Sequence, residues 1–458
     1  MLLPIRKRNK EDDVTRRHST FWWAVLVVMA LIAAACGGGG TTTTTQAPGG
    51  EMTTTTAAPG ETTTTQPTAE FEPGPLGAVT VAPGEPIKIA ALQAISGAVA
   101  SLGEDQVRGI EIAIDDRGGE LLGHPIELQV EDDGCSAEGG TTGAQRIVAD
   151  PQVVGIIGTS CSGAGVPASQ IMSEAGLVMI SGSNTSPALT SDLAGNPGSA
   201  WQPGYFRTAH NDIIQGEAAA IFAYQELGLT RAATIHDGDP YTEGLANAFG
   251  RSFQELGGEV VLATAINKGD TDMRPVLTEV AAAGAEVIFF PIFQPEGDFI
   301  AQQAREIAGL EDVVLFGADG LLSDTYVVNE FTVGMYFSGP ASPEGSAYDE
   351  FVAKYQEKYG EAPIQSFHAH AYDAANMLFA AIEQVAVVED DGTVHIDRQA
   401  LRDALYATEG FQGLTGTLTC DEFGDCADPR IDIVQRTEET PDIAAVRANV
   451  LFTYEPGA

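Results

Sequence analysis

Residues 153–190 read VVGIIGTSCSGAGVPASQIMSEAGLVMISGSNTSPALT. The opening run, Val153 to Ile157, is short, apolar and β-branched, as a strand buried on both faces requires. From Gly163 to Gly176 the apolar residues Val166, Ile171 and Met172 fall at helical spacing, with Pro167 in the first turn and Gly176 past the end. A second buried strand, Leu177 to Ile180, stops at Ser181-Gly182. Two parallel strands joined by one helix make a right-handed βαβ unit. Such units bind ligands on the rim beyond the C-terminal ends of their strands. That rim carries Ser160, Ser162, Ser183, Asn184, Thr185 and Ser186. Hydroxyls and free N–H groups at a helix N-terminus suit an anion such as a carboxylate.

Working outward, regular alternation of strand and helix starts at Ile87. Strand 87–91 leads to a helix over 104–116, strand 126–130, the acidic text EDDGC and a glycine-rich helix ending at Val148. Beyond the opening stretch, Gly204 to Thr208 reads as a crossover. Helices over 212–227, 242–256, 273–284 and 296–308 then alternate with strands over 231–236, 259–264, 286–292 and 312–316. The chain crosses back at 333–338, and helices over 346–359, 367–387 and 397–408 return to the first layer. The residues from Leu414 onward carry strands and cross again.

The fragments IKIAAL…SG, EDDGC, IGTSCSG and ISGSNTSPALT resemble the periplasmic branched-chain amino acid binding proteins, the solute receptors of one class of ABC importers. The resemblance spans about residues 86 to 455. It implies an α/β fold of the type I periplasmic-binding kind, with two lobes, each a parallel sheet flanked by helices, and three hinge crossings. Lobe 1 is expected over 86–206 and 341–413, and lobe 2 over 207–340 and 414–458. It also implies a disulfide between Cys135 and Cys161, bracing Ser162. Ser162, Ser183 and Thr185 match positions that hold an amino acid's carboxylate and ammonium groups. Asp319, in FGADG, matches the acid that pairs with the ammonium, and Tyr241 an aromatic that closes over the ligand from lobe 2. Leu102 and Phe293 stand where the family carries other aromatics, at the side-chain end of the pocket. The ABC permease subunits are the implied partner, and no cofactor is expected.

Each of these residues also has a plainer reading. Ser162 serves as a helix cap, Asp319-Gly320 as a turn, Tyr241 as a helix start, and Ser183 and Thr185 as a polar loop before Pro187. Enzyme readings are weaker. Gly158 to Ser162 lacks the last glycine of a nucleophile elbow. His236 and Asp237, adjacent on a strand, point to opposite faces. His368 and His370 do not converge on a helix. The loop CDEFGDC is acidic but lacks the ligand spacing of a calcium loop, and a disulfide-closed hairpin through Cys420 and Cys426 suits it better. A zinc reading of the four cysteines lacks CxxC spacing and nearby histidines. No catalytic activity is expected.

The N-terminal part has a different character. Residues 1–20 are basic, 21–35 (FWWAVLVVMALIAAA) are apolar, and Cys36 follows Ala33-Ala34-Ala35. A fifteen-residue core is short for a membrane span and suits a signal peptide. Small residues before a lone cysteine resemble a bacterial lipobox, so lipidation at Cys36 and an anchor on the outer face of the cell membrane are expected. An uncleaved signal anchor is the alternative. Residues 37–85 are Thr/Pro-rich and of low complexity, which reads as a disordered tether. The 458-residue chain has a net charge of −41, and beyond residue 35 it keeps 17 basic against 61 acidic residues. That balance argues against binding nucleic acid or anionic lipid through basic patches. The reading adopted is delivery of a small amino-acid-like solute to a permease; ligand sensing for a signalling receptor with the same fold is the alternative, and a hydrolase is a third class that an assay with generic ester substrates would exclude. Amides, urea and other small polar solutes are alternative ligands.

Overall fold

Strand Val153–Gly158 lies inside a sheet, and all six of its residues are buried. It pairs in parallel with Ile87–Gln93 on one side and Val178–Ser181 on the other. The computed structural model describes residues 71–456. The expected signal segment, the lipobox at Cys36 and most of the tether therefore lie outside the described residues. Taking the parallel strands in chain order, the first sheet runs His124–Asp132, Ile87–Gln93, Val153–Gly158, Val178–Ser181, Tyr205–Arg207, an order of 2-1-3-4-5, with a short hairpin strand at its edge. Its switch point falls between Ile87–Gln93 and Val153–Gly158. In such sheets the crevice outside the strand ends at that point is the binding position.

The second sheet repeats the order. Glu259–Ala265, Arg231–His236, Val287–Phe289, Val314–Ala318 and Tyr336–Pro340 again run 2-1-3-4-5, and Ile431–Gln435 and Val450–Tyr454 add two antiparallel strands at the far edge. Helices cover both sheets. Ala100–Asp116 packs on His368–Val385 in lobe 1, and Asp212–Ile221 on Pro240–Glu255 in lobe 2. Each lobe has its own apolar core.

Tyr205–Arg207 is the fifth strand of the lobe 1 sheet, whereas only a crossover was expected there. Tyr336–Pro340 lies within the lobe 2 sheet, so the return crossing follows it. Leu418 and Cys426 are buried in the lobe 1 core, and the next lobe 2 strand starts at Ile431. The last crossing therefore lies between Cys426 and Ile431, and lobe 1 continues past residue 413. The folded part also starts earlier than 86. Ala78–Val81 is a strand, paired antiparallel with Val394–Asp397, and Val79 and Val81 are buried. Both disulfides form, Cys135 with Cys161 and Cys420 with Cys426.

Candidate functional site

The two rims face each other across the cleft and touch. Ser186 Oγ in lobe 1 donates to the Pro240 carbonyl in lobe 2 at 2.8 Å. A Cβ added at Gly163 would lie 2.3 Å from Asp239 Oδ2, so a larger residue where lobe 2 meets the N-terminus of helix Ser162–Glu174 would have to displace the Asp239 carboxylate. Asp239 itself accepts from the Tyr241 N–H at 3.0 Å and pairs with Lys268 at 2.9 Å.

On the lobe 1 side, the serines of the rim divide into two groups. Ser160 is a scaffold residue: its N–H donates to buried Asp133 and its hydroxyl donates to Gln93 Oε1 at 2.7 Å. Burial pushes Asp133 up to about 7, against the N–H donors of Ser160 and Cys135. The Ser183 hydroxyl is directed inward, donating to the Ser160 carbonyl at 2.8 Å and lying 3.1 Å from Gln106 Oε1. Ser162 starts its helix one residue after the cap position, which Cys161 occupies. Its hydroxyl accepts from the Ser186 N–H at 3.3 Å. The Thr185 hydroxyl is buried without a hydrogen-bond partner among the described residues.

On the lobe 2 side, Asp319 follows strand Val314–Ala318. Its Oδ1 accepts from Gln215 Nε2 at 2.7 Å and from the Tyr241 hydroxyl at 3.1 Å, and that hydroxyl accepts in turn from the Gly320 N–H at 3.2 Å. Burial raises Asp319 to about 6, opposed by the Gln215 and Tyr241 hydrogen bonds. Tyr241 and Phe293 pack with ring centroids 5.2 Å apart. Phe293, Leu102 and Asp319 line a cavity of about 20 Å³ together with Gln365 and Ser323. Of the seven expected contacts, Leu102, Phe293 and Asp319 line this cavity, Tyr241 joins them through its bond to Asp319, and Thr185 is buried beside Asp212 of lobe 2. Ser162 borders the lobe contact through Ser186, and the Ser183 hydroxyl is turned away.

Three participants are missed by sequence reasoning. Gln215 ties Asp319 to Ser338 at 3.0 Å and to the His210 ring at 2.6 Å. Arg207 is fully buried and forms a bidentate pair with Asp425 at 2.6 and 2.7 Å, while its third nitrogen donates to the Asn184 and Ser186 carbonyls. The loop of Asn184 and Ser186 is therefore clamped to the segment just before the last crossing. Asp212, at the start of helix Asp212–Ile221, is fully buried beside Thr185. A polar residue inside an otherwise apolar helix face is the only local signal for Gln215. The His368 ring lies between the Tyr348 hydroxyl at 2.9 Å and Asp105 at 2.8 Å, and among the described residues no group of three metal-ligating side chains occurs. Among the described residues no helix is long and apolar enough to cross a membrane.

Two lobes of matching topology, joined by three crossings and closed over a lined cleft, define a solute-binding protein of the two-lobe α/β class. The periplasmic binding protein family model matches residues 86–425, and the chain belongs to that family. Among its relatives, Leu/Ile/Val-binding protein homolog 3 of Brucella melitensis is 29% identical over 353 residues, covering 76% of this chain and 90% of the relative. An amino acid binding protein of Pseudomonas aeruginosa is 32% identical over 290 residues, 60% of this chain and 75% of that one. The crystal structure of a leucine binding protein, LivK, from Thermotoga maritima superposes with a TM-score of 0.68 at 25% identity, over 81% of this chain and 99% of the other. The Streptococcus pneumoniae LivJ structure, which contains isoleucine, has a TM-score of 0.66 at 24% identity, over 81% and 100% of the two chains, and supports the fold.

Proposed function

We propose that the protein is the extracytoplasmic receptor of an ABC importer, lipid-anchored through Cys36, and that it takes an α-amino acid in the interlobe cleft for delivery to a permease. The observation that carries this reading is the meeting of Leu102 from lobe 1 with Phe293 and Asp319 from lobe 2 around one cavity, with the Tyr241 hydroxyl bonded to Asp319. Ser162 and the first turn of its helix supply an anion grip. Asp319 supplies the cation grip. A zwitterion held by both joins the lobes, so binding favours the closed arrangement. Leu102 and Phe293 favour an aliphatic side chain, which makes leucine, isoleucine and valine the first candidates. The names of the relatives point the same way. The role proposed is binding alone, as for the solute-binding proteins of the matching family.

The test is a thermal-shift screen over amino acids, amides, urea and small carboxylates, since a solute that binds only the folded state raises the melting temperature. Calorimetry follows on the best solute with wild type and Asp319→Ala. Loss of binding with an unchanged fold is expected, because the ammonium would be buried without its partner. Near-normal affinity in the variant, or tight binding only of solutes without an amino group, would overturn the reading.

A further inference from the structure

Beside the cavity that holds Asp319 lies a second one, of about 380 Å³. Gln365 lines both, so the two are neighbours. Lobe 1 walls the second cavity with Tyr348 and His368, lobe 2 with Leu322, Val434 and Arg447, and the chain crossing between them with Pro343. A void of this size between two lobes suits a small organic molecule.

Arg447, near the end of helix Ile443–Ala448, is the group this cavity leaves unsatisfied. Its Nε is shut off from solvent and has no hydrogen-bond partner, and its Nη2 reaches only the Leu322 carbonyl, at 3.4 Å. Acids far outnumber bases in this chain, and Arg207, Arg231 and Lys268 each pair with one, yet Arg447 forms no ion pair among the described residues. Burial holds its guanidinium below its ordinary value, against the acidic groups Asp105, Tyr348 and Asp324. None of these is a counter-ion. Asp324 is exposed. Asp105 is committed to the Tyr355 hydroxyl and the His368 Nδ1, both at 2.8 Å. With Nδ1 donating to that carboxylate, the His368 Nε2 accepts from the Tyr348 hydroxyl at 2.9 Å. Burial pushes that phenol up to about 12, with the Arg447 charge opposing, so Tyr348 stays neutral.

We infer that this cavity is a second ligand site, for a small monocarboxylate whose charged end pairs with Arg447 while its apolar body packs on Leu322, Val434 and Pro343. A planar carboxylate matches the guanidinium fork. Asp349 and Asp432 line the same cavity, so a second negative charge on the ligand is repelled, which disfavours dicarboxylates and phosphate. Because both lobes wall the site, its occupant favours the closed arrangement, as the solute does. The site is separate from the solute cavity and does not depend on what that cavity binds.

The probe is sodium butyrate, with butyramide as its neutral match and succinate as the dianion. Each is titrated calorimetrically into the whole chain, wild type and Arg447→Gln, and melting without ligand checks that the variant folds. Wild type should bind butyrate more tightly than either of the other two, and Arg447→Gln should bind butyrate about 10- to 100-fold more weakly. Should that variant not fold, Arg447→Lys, which keeps the charge without the fork, takes its place with a loss of about tenfold. Saturating L-leucine should leave butyrate bound. No butyrate binding, butyramide binding as tightly as butyrate, an unaltered arginine variant, or displacement of butyrate by leucine, which would place it in the solute cleft, each overturns the inference. If leucine does not bind at all, the amino-acid reading fails alone, and butyramide and the arginine variant still decide the second site.

Discussion

Arg207 shows how much of the site is decided by single buried residues. Its guanidinium spends all of its nitrogens on Asp425 and on the carbonyls of the binding loop. Asp425 also accepts from Thr190 and Asn211. The Arg207 charge, the strongest favourable influence on Asp425, holds that carboxyl below its ordinary range despite burial. A depressed carboxyl stabilises the fold above its unfolded value, and that stabilisation is lost as pH falls through the folded value. Asp425→Ala should therefore cost on the order of 3–5 kcal/mol, because it leaves a buried arginine uncompensated. The double variant Arg207→Met/Asp425→Leu should cost less, and urea denaturation near neutral pH measures both. If the single variant proves the milder, the pair is not what fixes the loop.

At the scale of elements, the two disulfides close loops of unequal size, 26 residues for Cys135–Cys161 and 6 for Cys420–Cys426. On the chain-entropy account the first is worth about 3.5 kcal/mol and the second about 2. Replacing each pair by serine and comparing unfolding midpoints checks the order. Most elements were legible because hydrophobic period and breakers coincide, as in Val153–Gly158 and the helix that follows it. Ala78–Val81 was not. Four residues set in Pro/Gly text carry little local signal, and what makes them a strand is a partner, Val394–Asp397, more than three hundred residues away. Tyr205–Arg207, three residues long, also carries little local signal, although its partner, Val178–Ser181, is near in sequence. In the site, Ser162, Thr185, Tyr241 and Asp319 could be reached from a resemblance in the text. Gln215 and Asp212 could not, because a buried polar side chain is defined by what tertiary packing sets beside it.

For the whole molecule, closure depends on a tight fit between the lobes. Gly163 is one place where lobe 2 presses on lobe 1, since a Cβ there would push against the Asp239 carboxylate. In a helix, alanine is favoured over glycine by up to about 1 kcal/mol, so Gly163→Ala should leave lobe 1 folded while wedging the cleft. Small-angle scattering on wild type should show a smaller radius with ligand than without. The variant should stay near the open value and bind more weakly. A variant that contracts as fully as wild type would mean that Asp239 moves aside at little cost.

The strand Ala78–Val81 has a mechanical consequence. Its partner sheet lies at the base of lobe 1, near the start of the first sheet's strands, where the His124 ring sits between the Glu85 and Gly392 carbonyls. Whatever chain precedes Phe71 joins the body there, at the end of lobe 1 away from the cleft. A pull on that chain would be carried by the short antiparallel pairing and passed to lobe 1 alone, leaving lobe 2 unloaded. Lobe 1 is then the stator and lobe 2 the moving jaw, and the jaw can swing without working against its own mooring.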